Sequence, residues 1–389
     1  MRPRNIALLT AAVVVALMVQ LVFVVAFVQH VRRPRVAPAA GGFAFAPAPA
    51  FPMQAPDEMF IAPGMQPGQP ITQEELQVVR CGPAKKAKFE VAAPVTHANL
   101  SVFFIHGPAA AAESKVITLQ DALNQGLATV HDQGMLSVDN RSSLPLFIQG
   151  GDIVKGGNQD RVLPYDYLIP AGALRSPVAA FCVEAGRSRP RGNELSSSFE
   201  ISSAQLPTKS LKLAALHRRQ QQDIWNGVSQ LQTTLTNKLG ASVRAQLSNT
   251  SLQLTLEHPR LQQAAQPYLE QLAALPEKGN VIGYAIAING QIHSADVYAS
   301  SDLFRQLWPK LIHAGAIEAL AERQSPGDVA PPSAETVQAF LQEAEQGQAY
   351  RQTAANQVQI RQESSRALLF ETFDAGRGNQ MVHRCYLAK

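Results

Sequence analysis

The sequence has little cysteine and lacks the common motifs of metal and hydrolase sites. Three cysteines in 389 residues exclude a disulfide-stabilised scaffold, because such scaffolds carry many cysteines in a short chain. There is no HExxH, CxxC, EF-hand loop or GxSxG, and the nine histidines show no metal-ligand spacing. The sequence therefore gives no support to zinc proteases, zinc ribbons, calcium sensors or serine hydrolases, and it predicts no metal site.

The excess of positive over negative charge lies almost entirely in the amino-terminal segment. The whole chain has a formal net charge of +4, but residues 1–70 hold five arginines against Asp57 and Glu58. That segment accounts for +3 of the total, so residues 71–389 are close to neutral. A nearly neutral body lacks the extended basic surface of a nucleic-acid-binding protein, and no nucleic-acid partner is expected.

A long apolar run lies near the amino terminus. Residues 6–28 carry no charge, and as a helix of ~1.5 Å rise per residue they would extend roughly 34 Å, enough to cross a membrane. The alternative is a signal peptide, which has a shorter apolar region and a cleavage site close behind it. Here the arginines of 32–35 precede the first small-residue site at 37–39. We predict a single-pass membrane protein with its anchor in 1–35, and arginines on both sides of the run leave its orientation open.

Residues 36–70 have the composition of a linker. They include nine Ala, eight Pro and four Gly, and proline at this density favours extended chain over a packed core. From residue 71 the pattern becomes that of an α+β protein. We predict a mixed or antiparallel β-rich lobe at 71–205, packed with a helix-and-hairpin lobe at 206–389 in one globular body behind the transmembrane helix.

Strand-like runs dominate the first lobe. The residues of 88–92 and 100–106 are rich in β-branched and aromatic side chains, and a series of short strands is predicted between 128 and 185. One helix interrupts them. Thr118 is its predicted N-cap, with Asp121 three positions on.

Helical periodicity and one hairpin mark the second lobe. Apolar residues at 224, 228, 231, 235 and 239 form one helix face that Gly240 ends, and a second helix follows at about 259–275. The dipeptide Asn289-Gly290 predicts a type I′ hairpin turn. Asp302 opens a further helix, and a helix at 334–346 and three closing strands complete the prediction.

The segment 150–161 is the first candidate site. Gly151 and Gly156 have the separation of the two P-loop glycines, but Lys-Ser/Thr does not follow, so a P-loop is excluded. The glycines permit positive φ or close approach of the backbone to a ligand. Asp152, Gln159 and Arg161 add a carboxylate, an amide and a guanidinium, which suit a polar or anionic small molecule. The alternative is a tight hairpin whose glycines serve only its turns.

The segment 180–191 is the second candidate site. Alternation on a strand would put Cys182 and Glu184 on one face, and Arg187 follows. One interpretation places Glu184 and Arg187 opposite Asp152, Gln159 and Arg161 in a pocket of mixed charge. No base is visible beside Cys182, so a buried structural cysteine is favoured over a nucleophile.

Outside these segments, two polar residues follow the predicted hairpin turn. His293 and Asp296 are open to two interpretations, an acid–base pair or a surface strand.

Several strings carry a resemblance to a known family. They include TLQDAL, LPLFIQGGDIVKGGNQDRVL and the long run from Val281 to Ile312. Over roughly residues 80–386 the chain resembles the ARG-and-rhodanese-phosphatase-superfamily-associated protein domain. The most specific parts are GxxxxGGxQxR at 151–161 and CVExxR at 182–187. Ser188 stands where the family usually has Trp, so a role that needs an aromatic ring there is not carried over.

This family is largely uncharacterised and is named for gene association with ADP-ribosylglycohydrolases. The resemblance implies nucleotide or ADP-ribose metabolism and favours a polar pocket at the two segments. The resulting hypothesis is a membrane-anchored domain that binds or processes an anionic nucleotide-like molecule, with cofactor and protein partners unknown. Its predicted catalytic residues are Asp152 and Glu184, and its predicted ligand-binding residues are Gly151, Gly156, Gly157, Gln159, Arg161 and Arg187. The alternative is a tethered interaction or scaffold module without chemistry.

Overall fold

The structure is a computed structural model that describes residues 89–389 except for short gaps. The gaps are 109–114, 133–134, 193, 195–198, 277–279, 325–328 and 355. The predicted anchor and linker, and Cys81, lie outside the described residues. Within the part that is described, no helix is long and apolar enough to cross a membrane.

The described residues form an α+β fold with mainly antiparallel sheets. The strands are β1 (Glu90–Val91), β2 (Val95–His97), β3 (Leu100–His106), β4 (Ile117–Thr118), β5 (Ala128–Asp132), β6 (Leu136–Asn140), β7 (Leu146–Ile148), β8 (Asp152–Gly156), β9 (Arg161–Val162), β10 (Tyr167–Ile169), β11 (Ser176–Pro177), β12 (Phe181–Cys182), β13 (Phe199–Gln205), β14 (Val281–Ile288), β15 (Gln291–Tyr298), β16 (Gln348–Ala354), β17 (Gln357–Glu363), β18 (Ala367–Asp374) and β19 (Gln380–Ala388). The helices are α1 (Leu119–Asn124), α2 (Lys209–Lys212), α3 (Gln221–Leu239), α4 (Leu252–Leu256), α5 (Pro259–Leu272), α6 (Ser301–Glu322) and α7 (Ala334–Ala344). A π-helical turn (Leu213–Arg218) continues α2, and a 3-10 turn (Ala375–Arg377) precedes β19.

One large sheet organises the fold. Its strands run in the order β1-β3-β14-β15-β19-β18-β17-β16, and β2 pairs with β3. Strand β3 comes from the predicted first lobe and pairs antiparallel with β14, which comes from the predicted second lobe. The sheet therefore takes strands from both sides of the predicted division at residue 206.

Helices cover both faces of the large sheet. Phe304 and Trp308 on α6 pack in one core cluster with Tyr284 of β14, whereas Val337 and Leu341 on α7 belong to the cluster on the other face. Side chains of a strand alternate between faces, so a strand covered on both sides must be apolar throughout. This accounts for β14, which is buried at every position.

There are three smaller sheets among the described residues, and one of them contains both candidate segments. Their strand orders are β10-β7-β4, β11-β6-β5 and β12-β9-β8-β13. The last one contains both candidate segments, since β8 and β9 form the hairpin of 152–162 and β12 adds Cys182 beside Arg161.

Several local predictions are confirmed. Thr118 caps α1 and accepts a hydrogen bond from the main-chain N–H of Asp121, and Gly240 ends α3 in the left-handed conformation. Asn289 and Gly290 both have positive φ, as a type I′ turn requires.

Three other local predictions were wrong. Four strands close the chain rather than three, because the polar run of β16 pairs at the edge of the sheet, where one face of a strand can be polar. The run 178–185 pairs only at Phe181 and Cys182, since the chain then turns inward and buries Val183 and Glu184 completely. The N-cap of α6 is Ser300.

Candidate functional site

The glycine-rich segment forms the hairpin of β8 and β9. Gly156 (φ 120°) and Gly157 (φ 54°) both lie in the left-handed half of conformational space. A Cβ at Gly157 would lie 2.4 Å from Cζ of Phe199, so glycine is required there for packing. Gly151 lies at the other end of β8, where its N–H donates to the carbonyl of Leu163. This conformation fits the alternative in which the glycines serve turns.

Five charged side chains form a buried cluster beside this hairpin, which we term the Arg191 network: Asp160, Glu184, Arg187, Arg191 and Glu194. Arg191 donates two hydrogen bonds to Asp160, at 2.8 and 2.7 Å. It also donates to Ser251 Oγ at 2.9 Å and to Glu194. Asp160 and Glu184 are fully buried. The network therefore ties the 182–194 loop to the hairpin and to the N-cap of α4.

Arg187 also uses its N–H groups for hydrogen bonds within the protein. Its Nε lies 2.5 Å from Oε2 of Glu184, and its Nη1 donates to the carbonyls of Gly157 and Arg189. Its donors are directed at protein oxygens. The unmatched atom is Oε1 of Glu184, which is buried without a hydrogen-bond partner among the described residues.

Burial and ion pairing have opposite effects on the pKa values of the Arg191 network. It raises the pKa of Asp160, and the attraction of Arg191 offsets this only in part. At Glu194 burial alone would raise the pKa, but the hydrogen bonds and charge of Arg191 outweigh it and lower the pKa. Charges that have lost their water must be held by one another, so removing one partner leaves another uncompensated.

Gln159, Arg161 and Cys182 form a partly exposed edge of the same region. Nη1 of Arg161 lies 2.8 Å from both Oε1 of Gln159 and Sγ of Cys182. Nε2 of Gln159 in turn donates to the carbonyl of Glu184 at 3.3 Å. Burial raises the pKa of Cys182, and the charge of Arg161 does not offset it. The thiol is therefore protonated near neutral pH, which disfavours it as a nucleophile.

The structure thus brings together six of the predicted site residues and separates two. Those that converge are Gly156, Gly157, Gln159, Arg161, Glu184 and Arg187. Asp152 and Gly151 lie at the opposite end of β8, roughly 13 Å from Gly156 at ~3.3 Å per residue. The interpretation of one pocket formed by Asp152 with Glu184 and Arg187 was therefore wrong, because an extended strand separates them.

Asp152 instead forms an ion pair with α6. Its Oδ1 lies 2.5 Å from Nζ of Lys310, and its Oδ2 accepts a hydrogen bond from the main-chain N–H of Gln149 at 3.1 Å. Both side chains are almost fully buried. Lys310 has no other hydrogen-bond partner among the described residues, although an ammonium group has three N–H donors.

A cleft of about 320 Å³ opens beside this ion pair, between α1, α5 and α6. Two of its lining residues, Leu269 and Pro309, are apolar. The others are polar: Thr118, Gln120, Asp121, Gln262, Gln306, Lys310 and His313. Residues with amide, hydroxyl, carboxylate, imidazole and ammonium side chains therefore line one space.

His313 gives this cleft a neutral imidazole. Its Nε2 lies 3.2 Å from Oε1 of Gln262, which can only accept, so Nε2 carries the hydrogen. Its Nδ1 is buried without a partner in the described part of the chain. Burial lowers the pKa of His313. The unpaired Nδ1 is therefore an acceptor near neutral pH.

A second set of buried, hydrogen-bonded charged side chains is centred on His383. His383 is held between Asp166 at 2.8 Å and Asp296 at 3.1 Å, and Oδ1 of Asp166 accepts from the N–H of Gly150. Burial alone would lower the pKa of His383, but the two aspartates outweigh it and raise the pKa to about 9. His383 is thus an imidazolium in the core at neutral pH.

Both interpretations of His293 and Asp296 were wrong. The two residues are buried, and Asp296 pairs with His383 whereas His293 lies 3.1 Å from Glu318. The pairing of β14 with β15 shifts register at His293, between Ile292 and Ser294, so simple strand alternation does not relate the two side chains. His293, Glu318 and Glu322 together form a group with metal-ligating atoms within 4.8 Å of one another, which no spacing in the sequence indicated.

Sequence reasoning also missed Lys310 and His383. Each had one available signal, a lone charged or titratable residue within an apolar run: Lys310 in LWPKLI and His383 in MVHRCYL. Charged residues are rarely buried unless they are paired. Neither partner could be assigned, because Asp152 and Asp166 are far away along the chain.

Fold and cleft together define an α+β domain built on a nine-stranded sheet, with a polar cleft beside helix α6. Residues 88–387, 300 of the 389, match the ARG and Rhodanese-Phosphatase-superfamily-associated Protein domain. The chain therefore belongs to this family, and the resemblance expected from the sequence is confirmed. No curated protein sequence and no solved structure matches it.

Proposed function

We propose that this domain binds a small anionic molecule, of mononucleotide size or smaller, in the cleft beside Lys310. The observation that carries the proposal is Lys310, a buried residue that lines the cleft and whose ammonium has one hydrogen-bond partner among the described residues. Asp152 acts here as a positioning residue that holds the ammonium in place. Its predicted role as an acid or base is replaced by this one.

Hydrogen bonding rather than long-range attraction is the basis of recognition in this proposal. The Lys310–Asp152 pair is formally neutral, so it projects little field. The remaining N–H groups of the ammonium can still donate charge-assisted hydrogen bonds to phosphate or carboxylate oxygens. The amides of Gln120, Gln262 and Gln306 supply further donors around the same space.

The size and remaining lining of the cleft narrow the ligand class. A volume of about 320 Å³ is at the lower end of the ~300–1,000 Å³ typical of ligand sites, which favours a mononucleotide or sugar phosphate over a dinucleotide. Leu269 and Pro309 offer apolar contact for a ring. Asp121 offers a carboxylate acceptor for ligand hydroxyl groups.

Binding is tested by titration calorimetry with the full-length protein in a mild detergent. The probes are AMP, ribose 5-phosphate, ADP-ribose and inorganic phosphate. Gln306→Glu adds a negative charge to the exposed cleft wall, and we expect it to weaken binding about 10-fold by repulsion. Gln263→Glu is the matched control, because Gln263 is exposed on α5 and does not line the cleft.

Two results would contradict the proposal. One is the absence of binding for every probe. The other is binding that Gln306→Glu leaves intact and Arg161→Ala or Glu184→Gln abolishes, which would move the ligand to the residues around the Arg191 network.

We also propose that residues 6–28 hold this domain at a membrane. The support is the uncharged length of that run. The full-length protein should stay in the membrane pellet after alkaline carbonate extraction; its release into the supernatant would refute the anchor.

A further inference from the structure

A histidine and two glutamates meet where the end of α6 passes β15. His293 is 3% exposed and Glu318 is 1% exposed, whereas the side chain of Glu322 is 41% exposed. Glu318 and Glu322 are one helical turn apart, so both face His293. This group is separate from the cleft and from the Arg191 network, since it shares no residue with either.

Hydrogen bonding fixes the imidazole of His293. Oε1 of Glu318 accepts from the main-chain N–H of Lys209 at 2.5 Å and lies 3.1 Å from Nδ1 of His293. An ionised carboxylate can only accept, so Nδ1 carries the hydrogen. In the neutral imidazole Nε2 is then a lone-pair acceptor, and it lies 3.4 Å from Oε2 of Glu322.

Two acceptors that face each other need a cation or a proton between them. A separation of 3.4 Å matches two ligands, each ~2.1 Å from one tetrahedral ion, because their mutual distance is then about 3.4 Å. A carboxylate on the other ring nitrogen is the arrangement that orients histidine ligands in metal sites. The exposed side chain of Glu322 provides an entry path, and water can complete the coordination.

We propose that Nε2 of His293 and the carboxylate of Glu322 bind a divalent transition-metal ion of the zinc type. Glu318 is a positioning residue that holds the ring. An imidazole and a carboxylate are donors that suit Zn²⁺ and Co²⁺. The bound ion would join the end of α6 to β15.

The test uses untagged full-length protein, stripped with EDTA and then titrated with Co²⁺ and, separately, with Zn²⁺. Wild-type protein should develop the visible absorption of tetrahedral or five-coordinate cobalt, and Zn²⁺ should raise its Tm by a few degrees. Glu322→Gln keeps the size of an exposed side chain and should fold normally. It should lose both the absorption and the rise in Tm, whereas the exposed control Glu270→Gln on α5 should keep both.

The competing occupant of the gap is a proton on His293 or Glu322. The metal site is overturned if wild-type protein gains no absorption and no Tm rise, or if Glu322→Gln responds to both metals as wild type does. A protonated pair would instead make the stability difference between wild type and Glu322→Gln depend on pH and not on metal.

Discussion

The Arg191 network and the Lys310 cleft each contain a buried cation, but the two cations differ in the number of their protein partners. Arg191 and Arg187 direct their donors at carboxylates and carbonyls of the 156–194 region and at the hydroxyl of Ser251. Lys310 has one hydrogen-bond partner among the described residues, the carboxylate of Asp152, and it is one of the residues that line a cleft. The arginines of the dense polar motif are therefore bound within the protein, whereas Lys310 is the cation that we propose as a ligand contact.

The difference follows from side-chain geometry. A guanidinium has five N–H donors in a rigid planar fork and can join several loops at once. The ammonium of Lys310 reaches from α6 to the carboxylate of Asp152, the first residue of β8. An ammonium has three N–H donors, and in our proposal a ligand accepts from those that Asp152 does not use.

The largest expected effect breaks the Arg191 network. Arg191→Met leaves Asp160 buried without its bidentate partner, and we expect it to lower the free energy of unfolding by about 3–5 kcal/mol. Urea denaturation of the full-length protein measures this. Arg189→Met is the control, since Arg189 is exposed, and it should change stability by less than about 0.5 kcal/mol. A loss below about 1 kcal/mol for Arg191→Met would show that the network is not a structural unit.

A smaller effect tests the hydrogen-bonded set of Asp166, His383 and Asp296. Burial opposes the charge of His383, but Asp166 and Asp296 raise its pKa to about 9, above ~6.5 for an unfolded histidine. The stabilisation is therefore complete below about pH 6.5 and is lost as the pH rises through about 9. It amounts to about 3 kcal/mol, given ~1.4 kcal/mol for each tenfold change.

His383→Gln removes this titration. Relative to the variant, wild-type protein should lose stability between pH 6.5 and 9.5, as followed by urea denaturation at each pH. A stability difference between the two proteins that is constant over this range would contradict an imidazolium at position 383.

The smallest effect concerns the cleft wall itself. Oγ1 of Thr118 caps α1 and donates to Asp121 at 2.6 Å. Thr118→Ala should cost about 1 kcal/mol, while Thr118→Ser keeps the hydroxyl and should cost much less. Thermal unfolding distinguishes the two variants. Equal losses would mean that packing of the threonine methyl group, rather than the cap, stabilises this edge of the cleft.

Local chemistry was readable from the sequence. The cap at Thr118, the α3 face that ends at Gly240 and the turn at Asn289-Gly290 depend on a few neighbouring residues, and each was predicted. Of the candidate site, the convergence of Gln159 and Arg161 with Glu184 and Arg187 was also anticipated. The catalytic and ligand-binding roles assigned to those residues stay predictions.

Contacts between side chains that are distant along the chain could not be predicted from the sequence. Asp152 was placed with Glu184, yet it pairs with Lys310, 158 residues away. His293 and Asp296 lie close together in sequence, yet they pair with different side chains, Glu318 and His383. Nothing in local sequence ranks the possible partners of a buried charge, since the choice depends on which segments the sheet brings side by side.

The sequence by itself determined the family, the α+β class, several local elements and the near-neutral charge of the body, because each depends on composition, short motifs or periodicity. Only the tertiary structure decided which hydrogen-bond and ion-pair partners each buried charged side chain has. A buried charge is costly unless it is paired, and the fold decides which partners Lys310, Glu318 and Glu322 can reach. The cleft and the proposed metal site are therefore properties of the fold.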